Sequence, residues 1–159
     1  MNLRLSSALL FVSLVLGCAS GPKYIANTKV EDSPENQKIL ATVEAYRVAL
    51  ESRDATKLLM LASEKYWEDA GTPTGEDDYG YAALKDILTT RLKRASDIRY
   101  SLRYKQIRRQ DEKAFVDVLI DASFTVVDAD GKEARKDMRD RNQFVLEFDG
   151  EEWKFLSGM

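Results

Sequence analysis

Ile98-Arg99-Tyr100-Ser101-Leu102-Arg103-Tyr104-Lys105 is the stretch that decides the fold. Apolar and polar residues alternate along it, the period of a strand with one buried face. The same period continues over about 113–127. There Ala114, Val116, Val118, Ile120, Ala122, Phe124 and Val126 alternate with Phe115, Asp117, Leu119, Asp121, Ser123 and Thr125. Arg108-Arg109, between the two runs, reads as a solvated turn. Asp128-Ala129-Asp130-Gly131 reads as a hairpin turn. A third strand over about 134–148 carries Phe144, Leu146 and Phe148 on one face. Asp149-Gly150 turns the chain again, and Trp153 to Leu156 forms a last strand.

Upstream the period is helical. Ser33-Pro34-Glu35 is a helix start, with a capping hydroxyl, a proline at the first turn and an acid beside it. Ile39, Leu40, Val43, Tyr46, Val48 and Leu50 follow at mostly helical spacing, so a first helix runs from about 34 to 52. Asp54 caps a second, leucine-rich helix over 55–62, which Ser63 to Ala70 would extend. Gly71-Thr72-Pro73-Thr74-Gly75 breaks the chain. Tyr81, Leu84, Ile87, Leu88 and Leu92 mark a third helix over about 80–94. Three helices followed by a four-strand antiparallel meander make an α+β domain, with the helices covering one face of the sheet.

A long first helix with Tyr46, then Glu51-Ser52-Arg53-Asp54 leading into a leucine-rich second helix, resembles the nuclear-transport-factor-2-like superfamily. So does the run from Asn142-Gln143-Phe144-Val145-Leu146-Glu147-Phe148 through Asp149-Gly150-Glu151-Glu152-Trp153-Lys154-Phe155. The resemblance covers roughly 35–159. It implies a curved sheet wrapped around helices as a cone, often enclosing a ligand cavity, and allows a short additional strand near 66–70 between the second and third helices. That superfamily holds isomerases, cyclases, dehydratases and epoxide hydrolases beside many pure binding domains, so the fold alone assigns no function.

Cys18 is the only cysteine. It follows Arg4 and an apolar stretch, Leu5 to Leu16, that is too short to span a bilayer, which takes about 20 residues. Arg4 and this stretch have the form of a secretory signal. Val15-Leu16-Gly17-Cys18 resembles the lipobox of bacterial lipoproteins. The resemblance implies cleavage after residue 17, acylation of Cys18 and membrane attachment through lipid. One acyl chain anchors weakly and more than one anchors stably. Ala19 and Ser20 follow, without the Asp that tends to hold Gram-negative lipoproteins in the inner membrane. The expected address is therefore the cell envelope, at the outer membrane if the source is Gram-negative. Residues 18–33 are expected to be the lipidated cysteine and a flexible tether, and 34–159 the domain.

The chain has 159 residues, 24 basic against 27 acidic, and no histidine. Lacking a basic excess, it does not read as a nucleic-acid binder. Without histidine there is no Ser-His or Cys-His nucleophile and no imidazole metal ligand. A lipid-capped Cys18 leaves no thiolate. Glu76-Asp77-Asp78 lacks the spacing of a calcium loop. No metal or cofactor is expected.

Two sets of residues remain as candidates. Asp140 and Asn142 share the strand face of Phe144, Leu146 and Phe148. With Tyr46 and Trp67 they would line a ligand site, and a carboxylate walled by apolar groups would have a raised pKa and act as a base. The competing reading places both beyond the buried part, in a long flared hairpin. The opposite sheet face carries Arg99, Arg103, Phe115, Asp117, Leu119, Asp121, Arg139 and Arg141. Its charges are expected to pair across strands, and its apolar members suit a protein partner or a second copy of the chain. The expectation is a membrane-anchored, periplasm-facing lipoprotein whose domain is a non-enzymatic binding or scaffold module. The alternative is a cone that binds, or acts as an isomerase or cyclase on, a small apolar ligand.

Overall fold

Ser33 is extended and its hydroxyl accepts the Asn36 N–H, so α1 (Pro34–Glu51) begins where local chemistry dictates. Ile39, Val43, Tyr46 and Ala49, three or four residues apart, form its buried stripe. Arg53, at φ +57°, turns the chain into α2 (Ala55–Leu61), which is capped by the Asp54 carboxylate at 2.8 Å from the Lys57 N–H. The computed structural model describes residues 21–69, 72–128 and 130–159. The signal stretch and Cys18 lie outside the described residues.

Helix α2 does not continue through 63–69. Instead β1 (Trp67–Glu68) pairs antiparallel with β2 (Tyr79–Gly80). The cause is a competing set of bonds. The Ser63 N–H donates to the Phe155 carbonyl at 2.8 Å, and the Ser63 hydroxyl donates to Glu147 at 2.5 Å and accepts the Lys65 N–H. Helix α3 (Tyr81–Lys93) then packs Leu84 and Leu92 inward.

The meander β3 (Ala95–Gln110), β4 (Lys113–Val127), β5 (Glu133–Phe148) and β6 (Trp153–Ser157) pairs in sequence order, all antiparallel. Arg108 and Arg109 belong to β3, not to a turn. A bulge between Tyr104 and Gln106 shifts the alternation by one, so Ile107 meets Val116 and the strand continues to Gln110. Arg108 lies 5.4 Å over the Phe115 ring. The turn falls at Asp111, whose φ is +52°.

Tyr46, Tyr100, Phe144 and Phe155 meet at the centre of the core. Their ring centroids are 5.3–6.0 Å apart, mostly edge to face. Strand β3 is a sheet edge, and Glu51 of α1 covers it by accepting the Tyr100 N–H at 2.8 Å. Part of the segment read as tether is folded. Tyr24 bridges Glu31, Val30 is buried at 1 % exposure, and the Asn36 side chain holds the Glu31 carbonyl. An apolar side chain and a side-chain-stabilised turn at Thr28 are enough to dock this loop beside the start of α1.

Candidate functional site

Strands β4 and β5 are 15 and 16 residues long. At about 3.3 Å per residue they reach some 50 Å. The 18 residues of α1 rise only about 27 Å. The β4–β5 hairpin therefore outruns the helices, and its inward residues are left without a covering layer. Ala122, Phe124, Val126 and Met138 of the hairpin, with Ile98 and Tyr100 of β3, face Leu50 and Leu92 across a cleft of about 560 Å³. The walls are almost wholly apolar. The charged residues on its lining are Arg91, Arg94 and Asp128. Oδ1 of Asp128 accepts the N–H groups of both Asp130 and Lys132, at 2.9 and 2.8 Å, so that oxygen is held by the hairpin turn. Arg94 donates from Nε and Nη2 to the Val127 carbonyl. Arg91 hydrogen-bonds the Tyr79 phenol. Among the described residues neither arginine forms an ion pair.

The four residues expected around a ligand do not converge. Tyr46 is inside the aromatic core, 4 % exposed. Trp67 is 56 % exposed, its ring against Gly80. The Asp140 side chain is in solvent and accepts the Arg141 N–H. Asn142 donates to the Gly158 carbonyl at 2.7 Å. Around Gly158 the chain forms a strap: its N–H donates to Glu68, which also accepts the Tyr66 hydroxyl at 2.6 Å, and the Met159 N–H donates to Tyr66. Of the described aromatic residues, Tyr100 and Phe124 line the cleft. The signal for the cleft was in the sequence all the same, in strands too long for the helices that cover them.

On the outer face, Arg139 pairs with Asp121 at 2.6 Å and Asp117 accepts Gln143. Among the described residues the expected cross-strand ladder of opposite charges goes no further. The register sets Arg99 against Ser123 and both Arg103 and Arg141 against Leu119. Phe115 and Leu119 are half-buried among these side chains.

No family model and no curated relative matches the sequence. Solved structures match its shape. A ketosteroid isomerase-like protein from Erwinia carotovora atroseptica superposes with TM-score 0.61 at 18 % identity, over 78 % of this chain and 92 % of its own. A dehydratase candidate of the NTF2-like family from Streptomyces avermitilis gives 0.64 at 13 %, over 79 % and 95 %. A conserved protein from Planctomyces limnophilus gives 0.62 at 14 %, over 79 % and 98 %. The fold is nuclear-transport-factor-2-like.

Within this nuclear-transport-factor-2-like frame the available acid–base chemistry is narrow. Burial pushes the Tyr100 and Tyr104 phenols up to about 12. Burial, and then the bond to Glu68, pushes Tyr66 higher still. Burial raises Tyr46 well above its ordinary value, with Tyr100 adding to the effect. All four are neutral hydrogen-bonding groups near pH 7, not bases. Among the described residues no three potential metal ligands cluster, and no helix is long and apolar enough to cross a membrane.

Proposed function

We propose that this protein is a lipid-anchored, periplasm-facing envelope protein whose nuclear-transport-factor-2-like domain is a non-enzymatic binding module. The cleft beneath the β4–β5 hairpin is its binding element. The observation that carries this reading is the makeup of the cleft: about 560 Å³ of apolar wall with two guanidiniums and one turn-bound carboxylate. A volume of that size is in the usual range of small-molecule pockets, about 300–1,000 Å³. A catalytic cone would need a poised base facing the substrate. Asp128 is held by its turn, and the buried phenols stay protonated. The anchor rests on Val15-Leu16-Gly17-Cys18. The outer sheet face, with Arg99, Arg103 and Arg141 free of ion pairs among the described residues, is a second surface for a protein partner or another copy of the chain.

Native mass spectrometry of the full-length protein, extracted gently from a Gram-negative host, tests both parts. A triacylated chain beginning at Cys18 is expected, and Cys18→Ser should leave the membrane fraction. A chain that keeps an unmodified Met1 ends the anchor reading. A small molecule that co-purifies with the wild type and is lost from Ala122→Trp is expected for the cleft. Identical occupancy in that variant ends the cleft reading.

A further inference from the structure

We infer that the cleft takes a free, single-chain amphipathic carboxylate, with the apolar chain under the β4–β5 hairpin and the anionic head at Arg91 and Arg94. The inference rests on the binding-module reading of the cleft and specifies its ligand.

The chemistry of the walls divides in two. Ala122, Phe124, Val126 and Met138 offer only apolar contact along the sheet side, and the hydroxyl of Tyr100 is engaged with Tyr46. Such a surface favours a chain without polar atoms, because each buried polar group lacking a partner costs free energy. Arg91 and Arg94 close the helix side of the mouth. They stand three residues apart at the end of α3, so both point from one face of the helix. Each is already oriented by a neutral oxygen, the Tyr79 phenol or the Val127 carbonyl, and neither has an acid partner among the described residues. Two positioned, uncompensated guanidiniums beside a dry wall match a carboxylate, which accepts the planar fork of an arginine in bidentate form. A cationic head would find one acid, Asp128, whose Oδ1 is already engaged by two backbone N–H groups, and would meet two arginines beside it.

The same geometry favours a free molecule over a lipid in a bilayer. The large exposed apolar side chains at this mouth are Val127 and Met138, at 38 % and 39 %. The others, including Tyr24, Met60 and Trp67, do not line the cleft. An interfacial docking face needs a broad apolar face set against the headgroups, and two half-exposed side chains do not supply one.

The test is to titrate carboxyl-labelled laurate into the full-length protein held in zwitterionic nanodiscs, with empty discs as the reference, and to follow the bound carboxyl resonance. One laurate per chain is expected, with at least tenfold weaker binding in Arg91→Gln, since a lost charge-assisted contact is worth about a factor of ten or more. Arg91→Lys should recover part of the loss, which a merely unfolded mouth would not. Ala122→Trp should abolish the bound signal, and dodecanol should displace laurate at least tenfold less well than unlabelled laurate. Equal displacement by dodecanol, with Arg91→Gln unchanged, overturns the anionic ligand and leaves the apolar cleft standing. No bound resonance above empty discs, and none for dodecanol, overturns both. Binding that survives Ala122→Trp places laurate elsewhere and also overturns the inference.

Discussion

Gly158 shows how one residue sets a local structure. Its φ of +91° suits glycine, and a Cβ there would stand 2.6 Å from the Gln143 carbonyl oxygen. Gly158→Ala should cost roughly 2–4 kcal/mol from strain and crowding together. Urea denaturation should read this as a lower midpoint at constant slope, whereas an unchanged midpoint would mean that the strap relaxes. The tyrosines make a separate prediction. Tyr100 and Tyr104 ionise at about 12 in the folded chain, against about 10 when unfolded. Their contribution is complete below pH 10 and is lost as pH rises through 12, because the unfolded chain releases those protons first. Melting temperature should fall across that window, and Tyr104→Phe should flatten the decline. An identical slope in the variant would remove Tyr104 from the account.

Short elements depend on their ends. Helix α2 has seven residues, too few to persist alone. Asp54→Ala removes a cap bond of 2.8 Å and should cost about 1 kcal/mol, seen as a fall of a few degrees in melting temperature. Ser33→Ala should cost less, since its bond to Asn36 is longer, at 3.3 Å. The latch between the α2–β1 loop and β5 is electrostatic. Burial alone would raise the Glu147 carboxyl. The Ser63 hydroxyl at 2.5 Å and the Lys65 ammonium at 2.9 Å outweigh burial and hold it below its usual range. That stabilisation is present above the unfolded pKa of about 4.3 and is lost as pH falls through the lower folded value. Glu147→Gln should lose roughly 1–3 kcal/mol at pH 7 and converge on the wild type in acid. A gap that stays constant with pH would show that packing, not charge, holds the latch.

At the scale of the molecule, the two ends of the fold differ. The folded loop Tyr24–Glu31 lies beside the start of α1, where Trp153 donates to Glu35. The cleft lies at the other end, beside Leu50 and the β4–β5 turn. With lipid on Cys18, the mouth of the cleft would face away from the bilayer, roughly the 27 Å length of α1 beyond the tether. In nanodiscs containing lipid-bound quenchers, a fluorophore at Lys23 should be quenched and one at Lys132 should not. Equal quenching would mean that the domain lies on the membrane.

Much of this architecture was legible in the chain. Period-2 alternation marked the strands and placed the bounds of β4. Ser33-Pro34 and Asp54 marked two helix starts, and the Asp-Gly turns marked the hairpins. Each of these is a local signal, carried by neighbours within a few residues. A short strand near 66–70 was open from the resemblance, but its pairing with Tyr79–Gly80, the bulge after Tyr104 and the restriction of the cross-strand charge ladder to Asp121–Arg139 among the described residues were not legible. Each depends on which residue a distant segment places opposite. The candidate site divides in the same way. Sequence marked Asp140 and Asn142 as facing inward by strand parity, and Tyr46 by helical spacing. Tertiary structure decided that Tyr46 fills the core, that Asp140 stands in solvent and that Asn142 holds Gly158. By itself the sequence determined the order and type of the three helices and four long strands and most of their inward faces, because backbone propensity and side-chain period are local. Only the tertiary structure decided where those faces meet and where they remain uncovered, because a cleft exists wherever a strand outlasts the helix packed against it.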